Sequence, residues 1–130
     1  MPSISIRFTN EDFVEPLPSK GAHEATILNV RCRTSESGNP LIQVTFQLLD
    51  EEPPKDRVVD HFIVAGATPR AVAIGRQRLL SMCRACGVEP TENENLALDD
   101  LLGRALEVRL DHDTYLGSKR ARVRGYRSLS

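Results

Sequence analysis

At 130 residues the chain suits one domain that can bury an ordinary core. With 40% hydrophobic and 27% charged residues it has a soluble globular composition, and no apolar run nears the ~20 residues of a membrane span. A formal charge of -1 argues against a surface that coats nucleic acid everywhere, and three cysteines without framework spacing suggest free thiols in a reducing, cytoplasmic setting.

Residues 1–20 read as an extension. No charged stretch followed by an apolar one opens it, so no signal peptide is expected. Ile4, Ile6 and Phe8 alternate and could add an edge strand before Pro16 and Pro18 break the chain. Ala22 to Arg33 reads as a long strand. Its apolar parity shifts from Ala25 and Ile27 to Leu28, Val30 and Cys32, which suggests a bulge or burial on both faces. Ser35 to Pro40 is a turn. Leu41 to Leu49 is the clearest strand, with Ile42, Val44, Phe46 and Leu48 on one side and Gln43, Thr45 and Gln47 on the other.

An acidic loop (Asp50 to Asp56) precedes a third strand from Arg57 to Val64. The period then changes. Thr68 is a good N-cap, Pro69 sits at the favoured first position, and Val72, Leu79, Met82, Cys83 and Cys86 follow at helical spacing until Gly87. The next segment carries Glu89, Glu92, Glu94, Asp99 and Asp100, and a helical turn spans 98–102. Arg104 to Asp111 is a fourth strand with Leu106, Val108 and Leu110 inward, and a turn at Leu116-Gly117 leads to a fifth.

Three antiparallel strands, one helix and a two-strand hairpin is the order of an OB-fold. The predicted fold class is therefore mainly β: a five-stranded Greek-key OB-fold barrel over 21–130, with the helix between the third and fourth strands. Ligands of such barrels lie across the second and third strands, between the loops joining strands one to two and four to five.

The last strand carries the functional signal. Arg120, Arg122, Arg124 and Tyr126 share one parity, and Ala121, Val123 and Gly125 the other. Residues 117–130 hold five basic side chains and no acidic one. A basic stripe with an aromatic suits single-stranded nucleic acid; the alternative is a charged edge that blocks aggregation. On the first reading Arg31, Arg33, Lys119, Arg120, Arg122, Arg124 and Arg127 meet phosphates. Tyr115, Tyr126 and His61 or Phe62 stack on bases, and Gln43, Thr45 and Gln47 hydrogen-bond them. Phe46 is expected in the core.

The run Ser37-Gly-Asn-Pro-Leu-Ile-Gln-Val-Thr-Phe46, the later Val58-Val-Asp-His-Phe62, the helix end Leu79-Leu-Ser-Met-Cys-Arg-Ala-Cys-Gly-Val88, and Leu101-Leu-Gly-Arg-Ala-Leu-Glu-Val108 together resemble a family of OB-fold single-stranded DNA-binding proteins encoded by phages and prophages. The resemblance covers roughly 18–127. It implies single-stranded DNA as partner in replication or recombination, within the host cytoplasm, and is compatible with a homo-oligomer and with recombination or replication proteins as partners. The acidic tail common among such proteins is absent from the final residues, Tyr126-Arg-Ser-Leu-Ser130, and Trp is absent altogether.

Other chemistries read less well. Cys83-Arg-Ala-Cys86 is a lone CxxC on the helix's apolar stripe, where Cys packs as a small hydrophobe; a zinc site wants four ligands, and a redox pair wants a helix N-terminus. Asp111-His112-Asp113 is the one His between carboxylates, expected on an exposed hairpin rim. No Gly-rich phosphate loop, HExxH or GxSxG is present. We therefore expect no enzyme, cofactor or metal. The competing function is a protein–protein adaptor that docks another subunit on its sheet.

Overall fold

The alternation legible in the sequence becomes five strands, each turning its apolar side inward. In the computed structural model, which describes residues 3–9, 17–92 and 95–129, these are β1 (Gly21–Thr34), β2 (Pro40–Leu48), β3 (Arg57–Ile63), β4 (Ala105–Tyr115) and β5 (Ser118–Arg127). One helix, α1 (Pro69–Ala85), follows β3, and a 3-10 turn (Leu98–Leu101) precedes β4. Pro16 and Glu94, singled out above, lie outside the described residues. The strands form a single antiparallel sheet in the order β3-β2-β1-β4-β5. The protein is thus mainly β, with an open five-stranded sheet and one long helix.

β1 holds the centre because it serves two partners. Its residues 21–26 pair with β4, and residues 25–34 with β2. The register slips between Ile27 and Asn29, leaving Leu28 without a partner and exposed. This is the bulge expected from the parity shift, and bulges bend the strand that carries them. Ala25 and Ile27 before it, and Val44, Phe46, Leu48, Phe62, Leu106 and Val108 from other strands, fill the core.

α1 closes one end of that core with Met82 and Cys83 fully buried. Its borders follow from its sequence. The Thr68 hydroxyl accepts from the Ala71 N–H at 3.2 Å, and Pro69 occupies the first turn. At the other end Gly87 N–H donates to Arg84 O and Val88 N–H to Cys83 O, the paired bonds of a Schellman stop. Gly75 faces β3 so closely that an added Cβ would stand 1.9 Å from the Ile63 carbonyl oxygen.

Residues 3–9 form no strand: Ile4 and Ile6 are exposed, and the edge strand suggested by Ile4, Ile6 and Phe8 is not made. Residues 17–20 are instead fastened by side chains. Ser19 gives its N–H and hydroxyl to Glu51 Oε1, at 3.0 and 2.8 Å. His112 Nε2 donates to Pro18 O, and buried His23 Nε2 to Ser19 O, each at 2.7 Å. His23 Nδ1 stands 2.7 Å from Asp50 Oδ1. Both His23 nitrogens face acceptors, so the imidazolium fits the site. Burial works against that charge. The hydrogen bonds to Asp50 and Ser19, with the Asp50 and Glu51 charges, outweigh it and raise the pKa above the ordinary value.

A group whose folded pKa exceeds its unfolded value of ~6.5 gives full stabilisation below that pH and loses it as pH rises through the folded value. Thermal melts from about pH 6 to about pH 8.5 should therefore show wild type losing stability relative to His23→Gln, with the gap closing at the alkaline end. In a separate test, Gly75→Ala should lower the denaturant midpoint by about 1–3 kcal/mol equivalent despite alanine's better helix propensity, because the methyl meets backbone.

Candidate nucleic-acid interface

Two groups of basic side chains reach the surface, and the sheet keeps them apart. The first lies on β1, β2 and β3. Residues whose Cα atoms are in register across the three strands form rows: Arg31–Gln43–His61, Asn29–Thr45–Val59 and Arg33–Leu41–Ile63. All belong to the parity opposite Ile42, Val44 and Phe62, so they share the outer face. Gln43, Thr45 and Gln47 are half-buried, and Arg31, Arg33, Arg57 and His61 are exposed. The His61 ring nitrogen Nε2 lies 3.2 Å from Gln43 Oε1. Arg57, opposite Gln47, belongs to this face too. Arg31, Arg33 and Arg57 enter no ion pair among the described residues. Gln47 is committed to Asp56 Oδ2 at 2.6 Å.

The second group is the arginine stripe of β5. Arg120, Arg122 and Arg124 are exposed, as their parity demands. They are not free. Arg120 Nε binds Asp113 Oδ1 at 2.7 Å, Arg122 Nη1 lies 3.5 Å from Asp113 Oδ2, and Arg124 Nε lies 3.5 Å from Asp111 Oδ2. The hydrogen bond from Arg120 is the main cause that holds the Asp113 carboxyl below the usual range. At Asp111 the His112 N–H comes first, followed by Arg124. Two carboxylates thus offset much of the charge of three guanidiniums. Lys119 and Arg127 are exposed, the latter opposite Glu107 in the ladder.

Tyr126 does not join that stripe. The β4–β5 register slips at Arg124, so that Val123 pairs with Leu110 while Tyr126 pairs with Val108. The extra residue reverses the parity, and Tyr126 turns inward with Val123. Its ring centroid lies 5.6 Å from Phe46 and 6.1 Å from Phe62. Its hydroxyl donates to the Asp60 carboxylate, which also receives Arg78 from α1. Burial first, then the Asp60 charge, pushes the phenol far above its ordinary pKa. This ring cannot stack on a base. Phe62 is likewise buried beneath the Arg78 guanidinium, whose carbon is 5.0 Å from the ring centroid. Of the expected stacking groups, Tyr115 and His61 remain exposed.

His112 lies on no exposed rim: it faces inward, half-buried, holding Pro18. Cys83 and Cys86 are buried, Cys32 is exposed, and burial pushes the Cys83 thiol up to about 11. Sequence reasoning missed Arg57, Arg78 and the pairing role of Asp111 and Asp113. The last was discoverable, since a two-residue turn places their alternation directly against that of Arg120 and Arg122.

A model of the family described as "Protein of unknown function (DUF669)" matches residues 9–130. No curated protein matches the chain. No helix is long and apolar enough to cross a membrane among the described residues.

The inward ring makes Tyr126 a stability residue. Tyr126→Ala should cost about 3–5 kcal/mol in denaturant unfolding. Tyr126→Phe, which takes one donor from Asp60, should cost about 1–3 kcal/mol. Unfolding midpoints equal to wild type for both would show that the phenol is not held there.

Proposed function

The chain belongs to the DUF669 family, and we propose that it is an OB-type protein that binds single-stranded DNA, using the outer face of β1, β2 and β3. The observation that carries this reading is the composition of that face. Arg31, Arg33 and Arg57 stand on it without an ionic partner among the described residues, beside the amide of Gln43, the hydroxyl of Thr45, the His61 ring and the apolar Leu41, Val59 and Ile63. Such a surface offers cations for phosphates, a ring and aliphatic groups for base faces, and hydrogen-bonding groups for base edges.

The strand order supports the fold half of the reading. β4 beside β1, then β2 and β3, is the 4-1-2-3 order of a Greek key. β3 and β5 are the sheet's edges, yet Tyr126 of β5 reaches Asp60 of β3, as in a barrel left partly open. In OB-folds the second and third strands carry the oligonucleotide; here Arg57 lies on β3, and Arg31 and Arg33 lie on the adjoining β1 in the same rows as Gln43 and Leu41 of β2. The resemblance to phage-encoded single-stranded DNA-binding proteins favours DNA as the strand and replication or recombination as its setting. The mechanism is passive: the face displaces counterions from the phosphates and sequesters the bases, with no bond made or broken.

Fluorescence anisotropy with labelled oligo-dT at two salt concentrations tests this, with duplex as competitor. Taking one cation away from a phosphate should lower the slope of log K against log salt by ~0.7. Replacing Arg31, Arg33 and Arg57 by Ala together should lower it by roughly 2, whereas replacing Arg120, Arg122 and Arg124 should lower it by only about 0.7, because Asp111 and Asp113 already offset two of those charges. Binding that ignores salt, or duplex competing as well as single strand, would favour the adaptor reading instead.

A further inference from the structure

The β4–β5 hairpin ends in a two-residue turn whose central residues, Leu116 and Gly117, have φ of 50° and 82°. Positive φ at both positions is the type I′ pattern, which places Asn, Asp or Gly at the first of them. Leucine there pushes Cβ toward its own backbone, and Leu116 is the sole non-glycine residue with positive φ among the described residues. Its side chain gains no packing in return: it is 88% exposed. The turn therefore combines an unfavourable backbone conformation with a solvent-exposed aliphatic side chain, and such outliers gather at active sites, ligand clamps and switch regions.

The neighbouring residues stiffen the tip. The Arg120 guanidinium lies 4.6 Å from the centroid of the Tyr115 ring, and Asp113 fixes Arg120 from the other side at 2.7 Å. Tyr115 is 57% exposed with one face covered by that cation. Arg120 thus positions Tyr115 as well as balancing Asp113. The cation beside this aromatic–aliphatic point is Arg120 itself; exposed Lys119, paired with Thr114, lies on the hairpin's other face. An apolar wedge next to a ring and a cation matches unstacked bases attached to phosphates, since apolar side chains enter base steps while rings stack on the bases released.

We infer that Tyr115 and Leu116 form a wedge that enters the base stack of the bound strand, and that Leu116 is kept in a left-handed conformation for this purpose. The inference rests on the single-stranded DNA reading and adds a second binding region to it. Leu116→Asn separates the two roles of the residue, because Asn accepts the turn's geometry and lacks the aliphatic tip.

The test measures wild type, Leu116→Asn and Tyr115→Ala for thermal midpoint, for affinity toward labelled oligo-dT, and for the fluorescence of a strand carrying 2-aminopurine, which brightens when unstacked. Leu116→Asn should melt about 2–4 °C higher than wild type while binding at least about fivefold more weakly, with the salt slope unchanged. Wild type should brighten 2-aminopurine, and both variants should lose most of that change. If Leu116→Asn binds and brightens as wild type does, the wedge is wrong while the sheet-face reading stands. If it melts lower, leucine is not held at a cost in this turn and the inference also fails. If wild type binds no oligo-dT, the single-stranded DNA reading itself falls and takes the wedge with it.

Discussion

One carboxylate joins the three parts that hydrogen-bonded ladders leave apart. Asp60 lies on β3, an edge of the sheet; Tyr126 lies on β5, the other edge; Arg78 lies on α1. A hydroxyl and a guanidinium meet on the same Asp60 oxygen. No backbone pairing links β3 to β5, so the curvature of the sheet is held there by side chains: this polar junction and the rings of Phe46, Phe62 and Tyr126 packed beside it. A carboxylate only 13% exposed requires partners, and removing either one leaves charge or lone pairs inadequately solvated. The junction fixes where β3 lies, and β3 carries His61 and Arg57 to the outer face.

Most of the fold was legible because local rules and tertiary packing agree. Thr68-Pro69 and Gly87 bound α1 in the sequence as they do in space. The bulge in β1 announced itself by moving the apolar residues from one parity to the other across Ile27 and Leu28. The bulge in β5 gave no such signal. Ala121 and Val123 set one parity, and Gly125 continues it without a side chain to contradict it, so the slip at Arg124 leaves no trace in the apolar pattern. Tyr126 then looks outward in sequence while packing inward. The Asp60–Tyr126 hydrogen bond spans 66 residues, a separation that no local pattern encodes.

The charge pattern shows the same limit. A run of arginines on one strand stands out in a sequence, but its meaning depends on the strand paired with it. β4 sets Asp111 and Asp113 against Arg122 and Arg120, and such cross-strand pairs serve the hairpin before they serve a ligand. Arg31, Arg33 and Arg57 are scattered through two strands and draw less notice, yet their shared outer face holds neither Asp nor Glu in the rows that run from Arg33 to Val59. Near-neutral net charge therefore coexists with a locally cationic surface.

The three thiols differ sharply in access. Cys83 and Cys86 are inside the helix–sheet interface, while Cys32 sits exposed near the end of β1, between Arg31 and Arg33 in sequence. Alkylating reagents need a reachable thiolate, and two of the three sites deny them that. A maleimide dye would thus attach at one defined place, on the strand that carries Arg31 and Arg33. The chain has a built-in address for a spectroscopic reporter and needs no cysteine removed to use it.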